Sequence, residues 1–141
     1  MKILILNGPN LNMLGVRKKE IYGTESLSDI NAYIISKFPN VTFEFFQSNH
    51  EGEIIDVIQT TDADGVVINA GAYTHYSIAI RDAIESRSPL PFVEVHLSDI
   101  NEREDFRKVS YIKDVCVATY AGYGKDSYIK GVEYLITKEQ K

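Results

Sequence analysis

The 141-residue chain has one cysteine, Cys116, so it can close no internal disulfide. That fits a reducing compartment, and the expected location is the cytoplasm. Long apolar runs are missing too. The opening MKILILNGPN is apolar for too few residues to read as a signal peptide, and no stretch approaches membrane-spanning length. Positive charge is not in excess. Lys and Arg number 15 against 20 Asp and Glu, and the net charge of −5 argues against nucleic-acid binding by bulk electrostatics. A local cationic pocket stays open, with Arg17, Lys18, Lys19, Arg103 and Arg107 as candidates beside a majority reading as solvated surface. Repeats, low-complexity tracts and linkers are also lacking, so residues 1–141 are read as a single domain. A chain of this length buries roughly 70% of its unfolded surface and needs no covalent staples.

What is present is alternation. Lys2–Leu6 is a compact apolar run followed by Gly, Pro and Asn punctuation over 7–15. Leu27, Ile30, Ile34, Ile35 and Phe38 recur at helical spacing and stop at Pro39. Val41–Phe46 reads as a second strand. Ser48 and Glu51 then suggest a capping box ahead of a helix carrying Ile54, Ile55 and Ile58. Gly65–Asn69, Phe92–His96 and Asp114–Tyr120 read as further strands, with helices at Tyr76–Ser86 and Tyr128–Lys138. Such alternation predicts βαβ units and a parallel sheet with helices on both faces. Ligands bind beyond the carboxyl ends of strands in such sheets. The loop after the first strand, roughly 18 residues, is long enough to suggest function, and it holds Arg17 and Tyr22.

Strand four carries the sharpest chemical signal. In Phe92-Val93-Glu94-Val95-His96, alternation places Glu94 and His96 on one face and the valines on the other. A carboxylate in a buried parallel strand is costly unless paired. Hydrogen-bonded to His96, Glu94 would fix the ring tautomer and favour its protonated form, a competent general acid. A purely structural pair is the competing reading, and the cleft-facing strand end favours the functional one. After strand three, Asn69-Ala-Gly-Ala-Tyr-Thr-His75 precedes a helix whose amino terminus suits a carboxylate, with Asn69 and His75 as added donors. An N-cap at Thr74 with ordinary turn chemistry explains the same residues equally well.

Arg17 and Tyr22 matter only together. A free tyrosine has a pKa of about 10. A guanidinium about 4 Å away, at an effective dielectric of about 20, favours the phenolate by about 4 kcal/mol, less what desolvation takes back. The pair could therefore make a base near neutrality if the loop folds over the cleft. Packing is the ordinary alternative for a loop tyrosine. Other chemistries find no footing. The 7–12 segment lacks dinucleotide and Walker spacings, so an Asn-rich turn that orients a substrate or a water is the more economical reading. The three histidines and one cysteine show no zinc spacing, no G-x-S-x-G elbow occurs, and no lysine sits in an apolar strand. Phe43, Phe45 and Phe46 read as strand residues.

Taken together, the segments NGPNLNMLG (7–15), R-x-x-x-x-YG (17–23), FQSNHEGEIID (46–56), NAGAYTHYSIAIRDAI (69–84), PFVEVHLSDINEREDFR (91–107) and SYI (110–112) resemble the motif set of type II 3-dehydroquinate dehydratases. The resemblance covers most of the chain in the family's order. It implies a flavodoxin-like three-layer α/β sandwich with a five-stranded parallel sheet in the order 2-1-3-4-5. It implies a lyase of the shikimate or quinate pathway that dehydrates 3-dehydroquinate to 3-dehydroshikimate, reversibly and anti, through an enolate, with no metal or cofactor. In that reading Tyr22 is the base, Arg17 lowers its proton affinity, Asn10 holds the water or donor facing the enolate oxygen, and His96 with Glu94 protonates the leaving hydroxyl. Asn69, Leu97 and Ser98 take the substrate carboxylate and nearby oxygens, and His75 and Arg107 take ring hydroxyls. Asp82 reaches into a neighbouring subunit's site within trimers that assemble into a dodecamer.

The chain departs from the family at Lys18 and Lys19, at Asp99, at Lys108 and Val109, and across 115–124, where glycines are sparse. None of the expected catalytic positions is among them. Two other functions compete. A non-catalytic flavodoxin-like module would bind a phosphorylated ligand at the 7–15 loop and tolerate Tyr22→Phe. An interaction domain would use the polar clusters for subunit contacts and show no turnover.

Overall fold

The computed structural model describes residues 1–16 and 24–139. Its strands are β1 (Lys2–Asn7), β2 (Thr42–Gln47), β3 (Gly65–Asn69), β4 (Phe92–His96) and β5 (Ala118–Ala121). They form one parallel sheet in the order β2-β1-β3-β4-β5, which is the expected order. The α-helices among the described residues are α1 (Leu27–Lys37), α2 (Glu51–Thr60), α3 (Ile78–Ser86) and α4 (Asp126–Glu139).

Strand character follows from two-sided burial. All of β3 and β4, and all of β1 after Lys2, are buried, as a parallel sheet covered on both faces requires. Alternate residues feed two cores. Ile3, Ile5, Val67, Val93 and Val95 pack with Ile30 and Ile34 of α1 and Tyr128, Val132 and Leu135 of α4. Leu4, Leu6, Val66, Ile68 and Phe92 pack on the other face with Ile54 and Ile58 of α2 and Ile80, Ala83 and Ile84 of α3. Each fully buried Ile or Leu contributes about 1.5–3 kcal/mol. β2 is a half-exposed edge.

Three local expectations are corrected. Ser48 does not cap α2. His50 occupies the N-cap, while the Ser48 hydroxyl accepts from His50 N–H at 2.9 Å and donates to Glu53. The capping box belongs to α1, where Ser26 Oγ accepts from Asp29 N–H at 3.1 Å and the Asp29 carboxylate accepts from Ser26 N–H at 3.0 Å. Likewise Ser77, not Thr74, caps α3, accepting from Ile80 N–H at 3.0 Å, so that helix starts at Ile78 rather than Tyr76. Finally β5 starts at Ala118, because Lys113–Val115 form a 3-10 turn.

Strand order reverses between β1 and β3, which are neighbours in the sheet although β2 lies between them in sequence. Their carboxyl ends meet in register, Asn7 against Asn69. A ligand site is expected beyond that point.

Candidate active site

The switch point is built from a buried polar network. The Tyr128 hydroxyl, carried in by α4, donates to Asn7 Oδ1 at 2.5 Å and accepts from Asn69 Nδ2 at 3.0 Å. Asn69 Oδ1 accepts from Gly71 N–H at 3.1 Å, so both ends of that carboxamide are oriented. Burial pushes the Tyr128 phenol well above its ordinary value, keeping it neutral and able to donate. The two loops beyond the strands press together. Gly8 N–H donates to Asn69 O at 2.8 Å, and a Cβ at Gly8 would collide with the Ala70 carbonyl. Only glycine permits that approach. Asn10 has φ 69°, in the left-handed region that asparagine tolerates, and its backbone N–H donates to Asn49 Oδ1 at 2.9 Å.

On β4, His96 Nε2 lies 2.5 Å from Glu94 Oε2, with the glutamate fully buried and the histidine nearly so. Burial pushes the Glu94 carboxyl up. The hydrogen bond and charge of His96 outweigh it, together with donors from Ser110 and Thr119, and the carboxyl ends below the ordinary glutamate range. Nε2 is thereby engaged, and Nδ1 remains as the nitrogen able to act on a ligand. His75 is arranged the other way. Its Nδ1 lies 2.8 Å from the Val109 carbonyl, which can only accept, so Nδ1 carries the hydrogen and the neutral ring keeps Nε2 as an acceptor. Burial pulls the His75 value down, against that hydrogen bond, and the nearby His96 and Arg107 charges pull the same way as burial.

These groups share one cleft of about 120 Å³, lined by Pro9, Asn10, Leu11, Asn69, Gly71, Ala72, His75, His96, Leu97, Ser98, Ile100, Arg103 and Arg107. Of the site residues expected from sequence, Asn10, Asn69, His75, His96, Leu97, Ser98 and Arg107 come together here, with Glu94 directly behind His96. Arg107 Nε donates to Glu104 at 2.6 Å, and Arg103 Nη1 donates to Ser98 Oγ at 3.2 Å. Asp82 is exposed on α3 and does not line its own chain's cleft. Arg17 and Tyr22 lie outside the described residues. The expected helix amino terminus at the cleft is also modified. A 3-10 turn, Gly71–His75, stands between β3 and α3.

Sequence reading missed Ser110, Thr119 and Tyr128. Thr119 had a usable signal, since it is the residue of β5 that pairs with Glu94. Tyr128 had none, being one more apolar position on the inner face of α4. The wall of imidazole, guanidinium and amide groups suits an anionic, oxygen-rich ligand, and the Glu94–His96 pair can exchange a proton with it. Among the described residues no group of three or more His, Cys, Asp or Glu side chains could hold a metal ion.

Comparison with known proteins gives one answer. The family described as dehydroquinase class II matches residues 1–136. The 3-dehydroquinate dehydratase of Fusobacterium nucleatum is 52% identical over 143 residues, covering 96% of this chain and 97% of that protein. That of Chlorobaculum tepidum is 51% identical over 138 residues, covering 95% and 93%. The crystal structure of a type II dehydroquinase from Butyrivibrio crossotus superposes with a TM-score of 0.94 at 49% identity, covering 96% of this chain and 97% of that one.

Proposed function

The chain belongs to the dehydroquinase class II family, and from that premise we propose that it is a hydro-lyase converting 3-dehydroquinate to 3-dehydroshikimate. The reaction removes a proton beside a ketone and a hydroxyl from the neighbouring carbon. A carbon acid of this kind needs a base, a stabilised enolate and an acid for the leaving group, all placed together. Tyr22, as phenolate beside Arg17, takes the proton. The electron pair moves onto the ketone oxygen, where Asn10 holds a water or donates directly. The enolate then collapses, expels the hydroxyl, and His96 supplies the proton that lets it leave as water. Tyr22 ends the turnover protonated and His96 deprotonated, and solvent resets both. Asn69 with Leu97 and Ser98 binds the carboxylate, while His75 and Arg107 bind ring hydroxyls. No cofactor takes part in any of these steps.

The reading extends to a cytoplasmic enzyme of a single catalytic domain that self-associates to trimers and a dodecamer, with Asp82 serving a neighbouring site. No helix among the described residues is long and apolar enough to cross a membrane. One observation carries the proposal: a buried Glu94–His96 pair opens onto the same cleft as Asn10, Asn69, His75 and Arg107.

The test is ultraviolet absorbance. Purified protein with 3-dehydroquinate and a chelator should generate the conjugated enone, and Tyr22→Phe, Arg17→Ala or His96→Ala should each slow it by orders of magnitude. Folded protein that leaves 3-dehydroquinate unchanged would sink the assignment. Near-normal turnover by Tyr22→Phe would remove the phenolate from it.

A further inference from the structure

Glu94 is completely buried, and a carboxylate there stays charged only if donors surround it. His96 is one of three. Ser110 Oγ donates to Glu94 Oε2 at 2.8 Å, the oxygen that also faces His96, and Thr119 Oγ1 donates to Oε1 at 3.2 Å. Both hydroxyls are firmly placed. Thr119 is the ladder partner of Glu94 across β4 and β5. Ser110 lies on a segment tied to the far wall of the cleft. Val109 O faces His75 Nδ1, Tyr111 N–H donates to Thr74 O, and Tyr111 O accepts from Arg81, each at 2.8 Å.

The proton between His96 Nε2 and Glu94 Oε2 decides whether the ring is an acid. With that proton on Nε2 and a second proton on Nδ1 the ring is an imidazolium, and its Nδ1–H can be given to a departing hydroxyl. With the proton on oxygen the ring is a neutral imidazole, whose N–H is a far weaker acid. Burial favours the second arrangement, because it removes two charges from a water-poor site. Hydroxyl donors favour the first, because they lower the proton affinity of the carboxylate. The other ionisable groups around the pair do not replace them. The Cys116 thiol is pushed up by burial and by the Glu94 charge, so it stays neutral, while His75 and Arg107 sit on the cleft side of His96.

We propose that Ser110 and Thr119 are positioning residues that hold Glu94 ionised and so keep the shared proton on His96, making the ring a general acid. The kinetic half of this rests on the dehydratase reading, and the charge-state half does not. The three histidine rings are few enough to resolve by ¹⁵N NMR, with His96 assigned by difference against His96→Asn. When the pair holds two protons, both ring nitrogens of His96 should carry them in the native chain. In Ser110→Ala and in Thr119→Val one of them should lose its proton, and kcat should fall roughly tenfold or more with KM nearly unchanged, as expected for a lost hydrogen bond to a charged group. Ser110→Thr and Thr119→Ser, which keep a hydroxyl, should restore both readouts.

Thermal melting establishes the fold of each variant, and either oxygen alone decides the matter, since Thr119→Val keeps the native volume if Ser110→Ala fails to fold. A native ring that gains no second proton as pH is lowered through the range in which the fold holds overturns the proposal. So does a ring that stays doubly protonated in a folded variant, whatever its rate. A native chain that lacks turnover while its His96 ring responds as described would instead remove the dehydratase reading and leave the positioning role intact.

Discussion

At the scale of single residues, Glu94 makes stability depend on pH in a defined direction. Its carboxyl is depressed in the folded protein, and an unfolded glutamate titrates at about 4.3. The folded state then binds fewer protons than the unfolded one across the interval between the two values, so stability rises with pH there. The contribution is complete above the unfolded value and is lost as pH falls through the folded one. Glu94→Gln has no such carboxyl. The melting temperature of the native chain should therefore drop toward that of Glu94→Gln as pH is lowered from about 5. A gap between the two that stays constant from neutrality to pH 3 would contradict a depressed carboxyl. The pair itself was legible, because two-residue alternation alone puts Glu94 and His96 on one face. Its Ser110 donor was not. Ser110 arrives from a loop 16 residues away, and no local pattern marks such a contact.

At the scale of elements, sequence reading succeeded where burial is two-sided. Gly65–Asn69 and Phe92–His96 were read with their observed ends, because uninterrupted apolar residues between polar breaks admit little else. It failed where several polar residues compete for one cap. Ser48, Thr74 and Ser77 are all chemically able to cap, but Ser48 accepts from His50 N–H and donates to Glu53. Thr74 Oγ1 is buried without a hydrogen-bond partner among the described residues, and Ser77 alone accepts from the first turn of α3. It failed at β5 for a related reason. Val115 and Cys116 are apolar but pack against the α2–α3 core from a turn, not from the sheet. The loops at the switch point also hide their constraint, since a Gly-Pro-Asn run announces a turn but not what the turn touches. Gly8→Ala tests that constraint. The added methyl meets the backbone of Ala70, which cannot rotate away as a side chain could. Separating the two loops should cost about 1–3 kcal/mol or more in chemical denaturation and widen the cleft between Asn10 and Asn69. Wild-type stability in Gly8→Ala would mean that the two loops part freely.

At the scale of the whole molecule, an acidic chain with net charge −5 carries a cleft walled by Arg103, Arg107, His75 and His96, so the attraction for an anion is local rather than global. The outer surface beside that cleft carries exposed apolar side chains. Tyr76 is 60% exposed, Ile78 57%, Phe106 66% and Val109 52%, and hydrogen bonds from His75 and Arg81 to the 109–111 backbone draw their segments together. Exposed apolar surface of this kind suits burial against another copy of the chain. Asp82, exposed on α3 within the same region, would then face a neighbour's cleft rather than its own. Complementation separates this from a merely solvated aspartate. Asp82→Ala and His96→Ala should each be nearly inactive alone. Refolded together into mixed assemblies, they create some sites that take an intact His96 from one subunit and an intact Asp82 from the next. Activity in the mixture should exceed the sum of the two parents by well over tenfold. Sedimentation of the native chain as a monomer at micromolar concentration, or a mixture no more active than its parents, would confine every functional group to a single chain.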